Sequence, residues 1–155
     1  MLNSILFTRN IGQRLGSLIM NKIFLSILIF FLVIAPSYAA SKTPVRIVKI
    51  LDGDTVRAKI NDNIFSIRLI GIDCYETTPN NRAYKQAYNN NLTIDEVIKN
   101  GKFSKKFLIN LYKKSNVQTF EFMGLDYYKR PLGILYFDDV NINQKMLNHG
   151  GCLKF

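Results

Sequence analysis

Two cysteines, Cys74 and Cys152, and a single histidine, His149, are all the Cys and His side chains in a chain of 155 residues. That is too few for the four-ligand set of a structural zinc site, and two cysteines do not staple a small scaffold. Either they pair with each other or they stay as free buried thiols. Beside Gly150-Gly151, His149 reads as a helix-end residue favoured by the macrodipole rather than as a catalyst. Acids are sparse as well: 11 Asp and Glu stand against 21 Lys and Arg, a formal net charge of +10. No internal repeat or low-complexity linker is present, which excludes a solenoid. An apolar content of 48% suits one globular domain rather than a disordered chain.

Residues 1–39 hold no acid and only three basic side chains, Arg9, Arg14 and Lys22. The apolar run from Ile23 to Ala35, broken only by Ser26, is shorter than the about 20 residues a transmembrane helix needs. Lys22 precedes it, and Pro36-Ser37-Tyr38-Ala39-Ala40 follows, with small residues placed for a signal peptidase cutting after Ala39. The segment therefore predicts a signal peptide and an exported protein, periplasmic or secreted; the alternative is an uncleaved membrane anchor. Met20-Asn21-Lys22 would make an equally ordinary start. Residues 40–155 are then the folded domain, with 18 Lys and Arg against 11 Asp and Glu. Such an excess suits nucleic acid or another polyanion and says nothing about fold.

Alternation over Val45–Ile50, Thr55–Ile60 and Ile64–Ile70, with turn chemistry at Asp52-Gly53 and Asn61-Asp62-Asn63, predicts a three-strand meander. Residues Cys74–Asn91 are rich in Asn, Thr and Tyr and read as a connection. Thr93-Ile94-Asp95-Glu96 has capping-box spacing, and Phe103, Phe107, Leu108 and Leu111 share a face of the helix that follows, closed by Lys113-Lys114. Phe103 and Phe107 are expected in the core, and Lys105, Lys106, Lys113 and Lys114 on a solvated face. Val117–Phe122 and Leu132–Phe137 predict two more strands, and Ile142–His149 a short helix ended by glycine. The expected class is α+β, mainly β: a five-stranded OB-type barrel with two to three helices, or a small roll with the same element order.

Three charged segments fall where strands end: Asp52-Gly53-Asp54-Thr55, Arg68 through Asp73 to Glu76, and Asp126 through Arg130. An arginine as deep in an apolar strand as Arg68 needs a partner or a ligand. Asp54 and Asp73 would supply two carboxylates to a hard cation if their strands pair. Glu76 could take the proton of an attacking water, and Arg68 with Arg130 could clamp a phosphate. The competing reading is Asp-Gly turns and surface ion pairs of little consequence.

The stretches Val48–Val56, Ile67–Thr77 and Asp126–Gly133 resemble, in order and spacing, the three motifs of the staphylococcal nuclease (thermonuclease) family. The resemblance spans about residues 44–153. It implies a five-stranded OB barrel acting as a Ca2+-dependent endonuclease on DNA and RNA, monomeric and without a stable protein partner. Carried over, Asp54 and Asp73 would bind calcium through carboxylates and Cys74 through its backbone carbonyl. Glu76 would be the general base, Arg68 and Arg130 would hold the scissile phosphate, and Tyr128 would contact the nucleotide. The rival implication is a non-catalytic OB module that binds single strands or a protein, although such modules typically lack one of the five residues Asp54, Arg68, Asp73, Glu76 and Arg130.

The sequence departs from the family pattern in three places. Cys74-Tyr75 stand where Thr or Ala and then Pro are usual, which is expected to loosen the loop aiming Glu76. Thr78–Asn100 is longer than in the most compact members and is expected to cover the site or extend its groove. The sequence ends at Phe155, before the aromatic residues and final helix of better-known members, so weaker base stacking and lower stability are expected.

Overall fold

In the computed structural model, residues 41–155 are described, with Lys22 alone ahead of them. The expected leader lies outside the described residues. In chain order the elements are β1 (Lys42–Pro44), β2 (Arg46–Ile50), β3 (Thr55–Ile60), β4 (Asn63–Leu69), β5 (Ile72–Asp73), α1 (Asn81–Asn90), α2 (Ile94–Lys113), β6 (Gln118–Leu125), β7 (Pro131–Phe137), β8 (Val140–Asn141), α3 (Ile142–His149) and β9 (Leu153–Lys154). The class is α+β and mainly β, as the periodicity predicts.

Period-two alternation puts Val56, Ala58, Ile67, Leu69, Leu135 and Phe137 on the inner face, all but Phe137 without exposed surface. The main sheet runs β1-β6-β7-β4-β3-β2, with β4 and β7 parallel and the other pairs antiparallel. That path is open, not the ring of five strands expected. Its ends are nevertheless consecutive in the chain: only Val45 separates β1 from β2, and its N–H donates to the Gln118 carbonyl at 3.0 Å. One extended stretch thus pairs with β6 through its first half and with β3 through its second.

The 20-residue α2 starts at the expected capping box: Glu96 N–H donates to Thr93 Oγ1, and Thr93 N–H to the Glu96 carboxylate. It buries Val97, Gly101, Ser104 and Leu108, so its buried face is rotated from the one expected. Phe107 is partly buried, but Phe103 is 54% exposed and stacks beside Phe107 instead of entering the core. Helix α3 is held to the sheet by buried Asn143, which donates to the Ile70 and Gly133 carbonyls and accepts from Leu135 N–H.

The connection expected over Cys74–Asn91 contains the helix α1. Asn80 caps it by accepting from Ala83 N–H, and Asn91 closes it in the left-handed conformation. Its buried residues are Ala83, Gln86 and Ala87, and with Tyr75 and Val97 the alanines form a second, smaller apolar cluster. Among the described residues no helix is long and apolar enough to cross a membrane.

Candidate active site

Two glycines let α2 press against the loop that carries the acidic residues. A Cβ at Gly101 would overlap the Glu76 and Tyr75 carbonyls, and one at Gly53 would come within 2.7 Å of Ser104 Cβ and 2.8 Å of Cys74 Sγ. The same loop is tied to the end of the chain. Cys74 and Cys152 form a disulfide, which settles the two thiol alternatives, and β5 pairs with β9 directly beside it.

Asp54 immediately precedes β3, Arg68 lies near the end of its partner strand β4, and both are buried. Arg68 Nη1 donates to Asp54 Oδ1, and Nη2 donates to Asp73 Oδ1 at 3.1 Å and to the Ile72 carbonyl at 3.2 Å. Asp54 also accepts from Thr55 Oγ1 at 3.0 Å and, through Oδ2, from Cys74 N–H at 2.6 Å. Burial, helped by the neighbouring Asp52 carboxylate, pushes the Asp54 carboxyl up to about 7 even though Arg68 and the Cys74 N–H oppose it. An added positive charge at this point would favour the ionised form.

Helix α1 holds the other acids. Gln86 accepts from Glu76 N–H at 3.0 Å and donates to the Cys74 carbonyl at 3.0 Å. The Glu76 carboxylate is gripped by Asn80 Nδ2 at 2.9 Å and by Arg82 Nη1 at 3.2 Å, while Arg82 Nη2 donates to Asp73. Burial disfavours the Arg82 charge, but Asp73, Asp54 and Glu76 more than offset it and hold the guanidinium above its usual range. Where proline is replaced by Tyr75, the loosening expected of the Glu76 loop is met by these bonds, the disulfide and the burial of Tyr75 at 8% exposure.

Arg130 lies at the β6–β7 turn. Asp126 accepts from its N–H at 2.8 Å and from its Nε at 2.7 Å, leaving its two terminal nitrogens without protein partners among the described residues. Its guanidinium sits 5.6 Å from the centre of the Tyr128 ring, which packs edge-on against Tyr127; both tyrosines are exposed.

Arg68, Asp73, Tyr128 and Arg130 line one cleft of about 630 Å³. Asp54, Cys74 and Glu76 do not line it: Asp54 is buried against Arg68, and Glu76 is reached through Arg82. Sequence reasoning missed Arg82, Gln86 and Asn80, all on or capping α1. Ala83 and Ala87 one turn apart, behind a capping asparagine, were the available signal.

The donors expected to hold calcium are oxygens of the right kind, two carboxylates and a carbonyl. Both carboxylates already accept from guanidinium groups, Arg68 on each and Arg82 on Asp73, and the Cys74 carbonyl accepts from Gln86. Among the described residues no group of three or more His, Cys, Asp or Glu side chains forms a metal cluster. In chemistry the set fits a hard cation with water completing the shell, provided Arg68 and Arg82 both give up carboxylate oxygens.

Residues 66–153 match the family described as staphylococcal nuclease homologue. This chain belongs to that family. It is 31% identical over 134 residues to an uncharacterised endonuclease of Haemophilus influenzae, covering 86% of this chain and 64% of that protein. It is 29% identical over 118 residues to an uncharacterised protein of Methanocaldococcus jannaschii, covering 68% and 56%. The chain thus spans less than two thirds of the length of either relative.

Proposed function

We propose that this nuclease-family chain is an exported, calcium-dependent endonuclease that hydrolyses DNA and RNA with little sequence preference. The observation that carries the reading is the Arg68 guanidinium bridging Asp54 and Asp73 on a cleft shared with Arg130 and Tyr128. Calcium held by Asp54, Asp73 and the Cys74 carbonyl would polarise the phosphoryl oxygen of the substrate.

The chain's own residues supply the rest. The free nitrogens of Arg130, with Arg68, bind the scissile phosphate and stabilise the charge that grows on it. One Glu76 oxygen accepts from the α1 cap Asn80 and the other pairs with the Arg82 guanidinium, so the carboxylate is aimed and keeps lone pairs that can take a proton from an attacking water. Tyr128, stiffened by Tyr127, offers a face to a base. The disulfide supports the export reading, because such bonds persist in oxidising compartments.

A second reading, a binding module without catalysis, draws on Arg82, which occupies Asp73 and Glu76 together. One assay separates the two: hydrolysis of single-stranded and duplex DNA by the full chain with calcium, with a chelator, and by Glu76→Gln. Calcium-dependent cleavage that falls by orders of magnitude in the variant is expected. Single-strand binding without cleavage in any buffer would establish the binding module instead.

A further inference from the structure

We propose that the exposed face of α1 is a second phosphate-binding wall of the cleft, with Lys85 and Asn89 contacting the strand that leads away from the scissile phosphate. The inference rests on the nucleic-acid reading above and deepens it.

Arg82, Lys85, Gln86, Asn89 and Asn90 line the same cleft as Tyr128 and Arg130. Their spacing of three, four, seven and eight residues puts them on one stripe of the helix. The stripe is made only of donor-bearing side chains, and α1 contains no acid at all. A cation would find no charged ligand on it, whereas a phosphate would find guanidinium, ammonium and amide N–H groups.

These residues divide into two kinds. Arg82 and Gln86 are committed to Asp73, Cys74 and Glu76, and Asn90 donates to the Gln86 carbonyl. Lys85 and Asn89 are exposed, four residues apart, and among the described residues neither has an ion-pair or hydrogen-bond partner. They are free donors on a stiff support: α1 is capped at both ends and seated by Ala83 and Ala87 against Tyr75 and Val97. A floppy loop would lose backbone entropy on binding that the seated helix has lost already, so only the Lys85 and Asn89 side chains remain to be ordered. The aromatic turn lining the same cleft favours nucleic acid over an acidic protein, since stacked bases and phosphates are recognised together.

The test compares the full chain with Lys85→Gln and with Lys113→Gln, an exposed charge at the far end of α2. Two quantities are read: the salt dependence of binding to single-stranded oligothymidylate, and KM against kcat for its cleavage with calcium. Losing one phosphate contact should flatten the slope of log affinity against log salt by roughly 0.7 and weaken binding roughly three- to tenfold. KM should rise to match while kcat holds, and Lys113→Gln should change neither. If Lys85→Gln behaves as Lys113→Gln does, the wall is overturned and the nuclease reading survives. If no protein cleaves but only Lys85→Gln flattens the salt slope, hydrolysis fails and the wall stands. No oligonucleotide binding by the unmodified chain would overturn both.

Discussion

Arg68 stands on β4 and Asp54 just ahead of the paired strand β3, beside Val56, Ile67 and Leu69, none of which has exposed surface, whereas Arg82 and Gln86 stand on a ten-residue helix seated by two alanines. On the strand side, position comes from ladder bonds and a large apolar core, and the charges are buried inside it. On the helix side it comes from a few polar bonds to backbone, Gln86 to Glu76 and Cys74 above all. The first kind of support fails only with the whole fold. The second can open locally, because it buries little apolar surface.

The sharpest way to break this contrast is to remove a buried charge. Arg68→Ala would leave the buried Asp54 carboxyl without its guanidinium and Asp73 with Arg82 alone, and should cost about 3–5 kcal/mol of global stability in urea unfolding. A loss under about 1 kcal/mol would mean that Asp54 takes up a proton in place of its partner. Next in size, Cys74→Ser with Cys152→Ser opens a link between residues 78 apart and should cost about 2–4 kcal/mol in the same experiment. Smaller again is Gln86→Ala, which leaves two backbone groups unpaired for about 1–3 kcal/mol. Its effect should be local: hydrogen exchange should quicken in α1 and at Glu76 while β3 and β4 keep their protection. Equal loosening of the strands would show that the helix side is no separate unit.

The same contrast explains what could be read in advance. Strands β2, β3, β4 and β7 announce themselves because large apolar residues alternate with polar ones, and the resemblance in Val48–Val56 and Ile67–Thr77 brought Asp54, Arg68, Asp73 and Glu76 with it. Helix α1 inverts the usual signal. Its large residues Tyr84 and Tyr88 are exposed, while small Ala83 and Ala87 and polar Gln86 are buried, so an apolar-periodicity reading passes over it. Phe103 misled for the related reason that size suggested burial; Gly101 and Ser104 are what α2 turns inward, because only small residues admit the Glu76 loop and Gly53. The disulfide could be offered only as one of two alternatives, since the encounter of Cys74 with Cys152 depends on where α3 ends relative to β5.

The smallest effect lies at the capping box that starts α2, just after α1 ends. Thr93→Ala removes the hydroxyl that accepts from Glu96 N–H and should cost about 1 kcal/mol. Thr93 N–H and Oγ1 donate to the Glu96 carboxylate, and those bonds hold it below the ordinary carboxylate range. A carboxyl depressed in the folded state adds stability that is complete above its unfolded value and is lost as pH falls through the folded one. Glu96→Gln keeps the box but cannot titrate. Thermal melts of the two proteins should therefore differ most at neutral pH and converge on acidification; a constant offset would show that the Glu96 charge contributes nothing to the cap.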